Sequence, residues 1–217
     1  MSLKALIFDL DGVLTDTAKY HYLAWKKLSD ELGYYFDEDT NELLKGVSRL
    51  NSFEIILEKN NATDKYTPEE KETLANKKND YYKEMIEQLT PDDILEGIVP
   101  FITEARNNGI KCAVASISKN APRVLELLKI SHLFDYIADA ALVKQPKPHP
   151  EIFLTCAKAL GFVPTECIGI EDAQAGIEAI HSAGMVSVGI NVTVTSIEPD
   201  IALKSTSELE LSFLLNR

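Results

Sequence analysis

Two aspartates, Asp9 and Asp11, stand directly behind the apolar run Ala5-Leu6-Ile7-Phe8, with Gly12 after them. Ser116 follows a second such run, Ile110 to Ala115, and Lys119-Asn120 lies just beyond it. Lys147 sits between Pro146 and Pro148, and Glu171-Asp172 closes a third run, Cys167 to Ile170. Carboxylates, a hydroxyl and a lysine at the ends of strand-like runs are the ingredients of phosphoryl transfer. A carboxylate that attacks a phosphate meets like-charge repulsion of about 4 kcal/mol per pair of unit charges at 4 Å and an effective dielectric of 20. A divalent cation and a lysine cancel that repulsion. Asp9 and Asp172 offer hard oxygen ligands suited to Mg²⁺, and Asp11 and Glu171 complete the candidate metal set. The cation would bridge the nucleophile and the phosphoryl oxygens. Asp9 is the candidate nucleophile, forming an aspartyl-phosphate. Asp11 is placed to give a proton to the leaving oxygen or take one from an incoming hydroxyl. Ser116 and Lys147 would hold the remaining phosphoryl oxygens.

Each residue taken singly has an ordinary reading. Asp and Gly after a strand are common turn residues. A serine there is a frequent helix N-cap. A lysine between loop prolines is usually solvated, and Glu171-Asp172 could simply favour the start of a following helix. Their joint occurrence, each at a strand end, is what points to chemistry.

The elements that must position them follow from the hydrophobic pattern. The three runs above and Val186 to Ile190 read as buried parallel strands. Between them lie helical patterns: Ile98 to Asn108 before Gly109, Pro150 to Leu160 before Gly161, and Ala173 to Ala183 before Gly184. Glycine just past the last helical turn is the usual stop signal. Strands alternating with helices predict an α/β fold, a doubly wound (Rossmann-like) parallel sheet. In such sheets ligands bind beyond the carboxyl ends of the strands. From about Thr17 to Leu89 the alternation stops and only helices are expected. Ala18 to Leu32 puts His21, Trp25, Leu28 and Leu32 on one face. Thr67-Pro68-Glu69-Glu70 is a capping box with proline at the first helical position, opening a helix to about Leu89. The expected division is an α/β core of residues 1–16 and 90–217 and an inserted helical domain of residues 17–89.

Bulk properties narrow the class. With 45% hydrophobic residues in 217, the chain can bury a sizeable core. Its net charge of -12 opposes binding to a phosphate backbone, so no nucleic-acid partner is expected. The same charge requires a site for an anionic substrate to carry local positive charge. Cys112, Cys156 and Cys167 have neither zinc spacing nor an even count for a disulfide framework. They suit a reducing cytoplasm, the expected location. No leader is evident, and no stretch is long and apolar enough to span a bilayer. Oligomeric state is not legible in these residues; a monomer is the working expectation.

Phe8-Asp9-Leu10-Asp11-Gly12-Val13, Ala115-Ser116, Lys147-Pro148 and Gly169-Ile170-Glu171-Asp172 together resemble the four motifs of the haloacid dehalogenase superfamily. The resemblance covers nearly the whole chain and implies that the insert is a small α-helical cap. It also implies that Asp9 is the nucleophile and Asp11 the general acid/base, and the presence of Asp11 argues against a dehalogenase or phosphonatase. Thr15-Asp16-Thr17-Ala18, Tyr20-His21, Ala24-Trp25, Lys45-Gly46-Val47-Ser48-Arg49, Lys78-Asn79-Asp80 and Ser118-Lys119-Asn120 resemble the β-phosphoglucomutase branch. That branch interconverts β-glucose 1-phosphate and glucose 6-phosphate through a bisphosphate. The resemblance implies a small phosphorylated sugar as partner, with Arg49 gripping the distal phosphate. Ser116, Lys119 and Asn120 would line the opposing core surface, alongside Ser118. Thr17, His21, Trp25, Lys45, Gly46, Ser52 and Lys78 would order the sugar and the cap. An arginine fork suits a phosphate dianion, although a solvated charged turn is the plain alternative for Lys45 and Arg49. Packing is the plain alternative for His21 and Trp25. Cap closure would exclude water and favour transfer to a sugar hydroxyl over hydrolysis, about hinges near Thr15–Thr17 and Leu89–Pro91. The rival on this scaffold is a sugar-phosphate phosphatase; a non-catalytic binding protein would be expected to lack Asp9, Asp11 or Lys147. Ile117 departs from the branch, where a smaller residue is usual, and either alters the sugar pocket or packs beneath it. Pro146 is a second departure. A cis Lys147-Pro148 bond is expected.

Overall fold

Every residue of the first strand, β1 (Ala5–Phe8), is fully buried, because β1 runs through the middle of the sheet. The computed structural model describes residues 3–44 and 47–215. The remaining strands are β2 (Lys111–Val114), β3 (Tyr136–Ile137), β4 (Cys167–Glu171), β5 (Val186–Ile190) and β6 (Ile201–Leu203). Their order in the six-stranded sheet is β3-β2-β1-β4-β5-β6, and all pairs are parallel. This is a doubly wound order, with its topological switch point between β1 and β4. Phe8 is level with Val114 on one side and Ile170 on the other. The chain therefore leaves all three strands at one height, releasing Asp9, the Ala115-Ser116 pair and Glu171-Asp172 at the same edge.

The chain divides into two compact units, residues 1–16 with 89–217 and residues 17–88. The helical unit holds α1 (Ala18–Leu32), α2 (Glu38–Glu42), α3 (Arg49–Lys59) and α4 (Pro68–Ile86), and no strand among the described residues. Gly33 ends α1 at φ 74°, sending its N–H to the Asp30 carbonyl. Thr67 caps α4 as read: Glu70 N–H donates to its hydroxyl and Thr67 N–H donates to the Glu70 carboxylate. The core of this unit is Trp25, Leu28, Phe36, Phe53, Ile56 and Leu57. The Trp25 and Phe53 rings stack with centroids 6.0 Å apart.

The α/β unit carries α5 (Ile98–Asn107), α6 (Ala121–Leu127), α7 (Glu151–Leu160), α8 (Gln174–Ser182) and α9 (Leu211–Leu215). Ile152 and Phe153 of α7 and Ile177 and Ile180 of α8 share one buried cluster with Ile7 and Ala113 of the sheet. Phe8, pointing to the opposite face from Ile7, meets Phe101 of α5 and Phe134 edge-on. Helices thus cover both faces, the arrangement that buries parallel strands.

Candidate active site

At the switch point one buried ammonium lies among carboxylates. Lys147 Nζ donates to Asp9 Oδ1 at 2.7 Å and makes a second short bond to Glu171 Oε1. The Lys147 and Glu171 side chains are 2% and 1% exposed, so neither charge has solvent to fall back on. Burial opposes the Lys147 charge, but the Asp9 and Glu171 carboxylates outweigh it and hold the lysine proton above the ordinary range. Burial pushes the Glu171 carboxyl up, against the pull of Lys147. The second Glu171 oxygen accepts the N–H groups of Asp172 and Ala173, both at 2.9 Å. Glu171 thereby ties Lys147 to the backbone that carries Asp172. The Lys147-Pro148 peptide is cis.

Two glycines make room for this cluster. Gly12 sits at φ 76°, and a Cβ there would lie 2.2 Å from Asp172 Oδ2. A Cβ on Gly176 would lie 1.9 Å from the Glu171 carboxyl carbon. Ligand oxygens of Asp9, Glu171 and Asp172 all lie within 4.8 Å of one another. Three carboxylates against one ammonium leave two formal negative charges, the complement of a divalent cation. An all-oxygen donor set of this size fits Mg²⁺. Asp11, expected as a fourth ligand, is half-buried in the turn after β1 and does not belong to this three-residue group.

Ser116 is buried, and Ser118 N–H donates to its hydroxyl at 3.2 Å. Asn120 N–H in turn donates to Ser118 Oγ at 3.3 Å, so this loop is held by its own side chains up to the start of α6. Lys119 is exposed on it. Ile117 packs against the buried cluster beneath the loop, the second of its two readings.

The helical unit gathers a second group. Lys78 Nζ lies 2.8 Å from His21 Nδ1, and it sits 4.7 Å from the Trp25 ring centre. Burial first, then the charges of Lys78 and Arg49, hold the His21 imidazole well below its usual pKa. His21 is therefore neutral, with Nδ1 facing a lysine donor, which leaves the proton on Nε2. Trp25 is 3% exposed and belongs to the core, as its packing reading has it, while Lys78 Nζ lies over its ring face. Arg49 opens α3 behind its N-cap Ser48, and its guanidinium donates to Asn76 Oδ1 at 2.8 Å. Ser52 and Thr17 are buried in the same unit. Lys45 and Gly46 lie outside the described residues. Asn76 and Tyr82 escape the sequence reading. Tyr82 stands one helical turn beyond Lys78, a spacing that puts both on one face of α4.

The haloacid dehalogenase-like hydrolase family model matches residues 3–184. The chain belongs to that family. Within it, the chain is 46% identical over 212 residues to the β-phosphoglucomutase of Bacillus subtilis, covering 98% of this chain and 94% of that protein. It is 31% identical over 191 residues to the fructose-1-phosphate phosphatase YqaB of Escherichia coli, covering 86% and 96% of the two chains. A crystal structure of β-phosphoglucomutase from Clostridium difficile superposes with a TM-score of 0.93 at 47% identity, covering 99% of this chain and 96% of that one. This haloacid dehalogenase-like fold places the Asp9–Lys147–Glu171 cluster at the strand ends where the order of the parallel strands reverses. No helix among the described residues is long and apolar enough to cross a membrane.

Proposed function

We propose that this chain is a magnesium-dependent β-phosphoglucomutase, interconverting β-glucose 1-phosphate and glucose 6-phosphate by way of glucose 1,6-bisphosphate. The observation that carries this reading is the 46% identity to the Bacillus subtilis enzyme over 98% of the chain. The carboxylate–ammonium cluster is what such chemistry needs. An Asp9 carboxylate oxygen attacks the phosphorus of the bisphosphate and an acyl phosphate forms as the bond to the sugar oxygen breaks. Asp11 gives its proton to that departing oxygen, and takes one from the sugar hydroxyl that receives the phosphoryl group in the return step. Lys147, already charged and already bonded to Asp9, offsets the negative charge of the incoming phosphate without having to reorganise. Glu171 holds Lys147 and the Asp172 backbone in place. Mg²⁺, held by Asp9 and Asp172 with Asp11 and Glu171 beside them, would supply Lewis-acid neutralisation of the phosphoryl oxygens.

Ser116, Ser118, Lys119, Asn120, Thr17, His21, Trp25, Ser52 and Lys78 are the residues this reading assigns to the sugar phosphate, and Arg49 takes the distal phosphate as a planar fork. Lys45 and Gly46 keep the sugar-site role that the motif implies. A sugar-phosphate phosphatase is the second reading, favoured by the 31% identity to the fructose-1-phosphate phosphatase. The two separate in one assay: β-glucose 1-phosphate with a trace of glucose 1,6-bisphosphate and Mg²⁺. Glucose 6-phosphate should accumulate well ahead of inorganic phosphate. Inorganic phosphate as the main product would replace the mutase with the hydrolase.

A further inference from the structure

Tyr82 is fully buried in the helical unit, and its phenol reaches three residues of the proposed sugar site at once. Its ring lies over the His21 imidazole, centroids 4.0 Å apart and planes inclined by 22°. Its hydroxyl donates to Thr17 Oγ1 at 3.2 Å. Lys78 Nζ sits 5.3 Å from the ring centre. Thr17 occupies the N-cap position of α1, yet its side chain makes no capping bond to the helix, and its backbone there is αR rather than extended. A threonine at that position ordinarily accepts from an N–H of the first turn. Here the hydroxyl is engaged by Tyr82 instead.

We propose that Tyr82 is a positioning residue for the sugar-phosphate site: its ring fixes the plane of His21, and so keeps Nδ1 on the Lys78 contact that selects the tautomer, while its hydroxyl fixes Thr17. The inference rests on the mutase reading for what those two residues touch. A stacked aromatic face offers His21 neither a strong donor nor a strong acceptor from that side. The imidazole's directed contacts are then made through its in-plane nitrogens. With Nδ1 turned to Lys78, Nε2–H is presented as a donor of fixed direction. The phenol thus does for a neutral histidine what a second-layer hydrogen bond does elsewhere: it sets orientation without touching the ligand. The ring also stands beside Lys78, so the charge that sets the tautomer is itself held by the group that sets the plane.

Tyr82→Phe keeps the stack and removes the bond to Thr17; Tyr82→Leu removes both. Ile86→Ala, on the same helix and equally buried, serves as a packing control. Three quantities are read: the ¹⁵N shifts of the His21 imidazole, kcat/KM for the mutase reaction, and the ratio of glucose 6-phosphate to inorganic phosphate. Tyr82→Phe should leave the His21 spectrum as in the unsubstituted protein and lower kcat/KM about 3- to 10-fold, the size of one neutral hydrogen bond. Tyr82→Leu should give a mixed tautomer pattern at His21 and a lower mutase ratio. Ile86→Ala should move neither the spectrum nor the ratio. An unchanged His21 spectrum in Tyr82→Leu, or an equal disturbance in Ile86→Ala, overturns the inference. If Tyr82→Leu does not fold, unaltered kinetics in Tyr82→Phe overturn the Thr17 half, and an altered His21 spectrum in Tyr82→Phe overturns the ring half. An unsubstituted protein that makes no glucose 6-phosphate sinks the mutase reading instead, and the His21 spectra still judge the role of Tyr82.

Discussion

At the scale of single residues the site is an electrostatic balance, and each member has a distinct consequence when altered. Asp9→Asn keeps the shape and removes the carboxylate proposed as the nucleophile. Phosphoenzyme trapped by acid quench should vanish, and turnover should fall at least about 10³-fold, as expected when a covalent step is lost. His21 makes a prediction about pH. Its folded pKa is depressed well below 6.5, first by burial and then by Lys78 and Arg49. The unfolded chain therefore takes up a proton that the folded chain refuses. The contribution to stability is full above pH 6.5 and declines as pH falls below it, toward the depressed folded value. The slope is at most about 1.4 kcal/mol per pH unit. Melting curves from neutral pH down to about pH 5 should show the decline, and His21→Gln should flatten it.

At the scale of elements, packing against the sheet decides what the carboxylates can do. Gly176 lies in the first turn of α8, directly against Glu171. Gly176→Ala would drive Glu171 off Lys147 and off the Asp172 backbone. Calorimetric titration should find Mg²⁺ affinity about 10- to 100-fold weaker, the usual cost of disturbing groups behind metal ligands. Thr67→Ala removes half of the capping box on α4 and should cost about 1 kcal/mol in urea denaturation. What could be read beforehand follows the same physics. Continuous apolar runs and glycine stops make β1, β5 and α1 legible to the residue, because burial on both faces writes itself into composition. The two-residue β3 and the three-residue β6 are not legible: both are short and only partly buried, so no periodicity develops. The grouping of Asp9, Glu171 and Asp172 was readable because each stands at a strand end, whereas Lys147 lies in the loop between β3 and α7, and its motif alone marked it. The hub role of Glu171 was not, since it depends on backbone N–H directions. Tyr82 was hidden for a related reason: two of its partners, His21 and Thr17, lie 61 and 65 residues away along the chain, and no local pattern links them to it.

At the scale of the whole molecule, a cation bound only by the folded state acts as a ligand for folding. Mg²⁺ at about 100 times its dissociation constant should add about 2.7 kcal/mol of stability. A chelator should lower the melting temperature of the protein, and Asp172→Ala should lose that response. The acidic balance of -12 bears on this as well. A molecule with so much negative charge gains from neutralising a place where carboxylates are crowded together and largely shut off from water.

The sheet is stitched from both sides of an interruption: β1 precedes the helical segment, while its two neighbours, β2 and β4, come after it. A ribosome therefore releases the central strand first and its partners long afterwards. At typical elongation speeds β4 follows β1 by roughly 10–30 s. Until β2 emerges, four water-shunning residues, Ala5 to Phe8, wait with no native neighbour in the sheet, and until β4 emerges they have only one. Asp9, next in line after that strand, is made well before the strands on either side that set it in place.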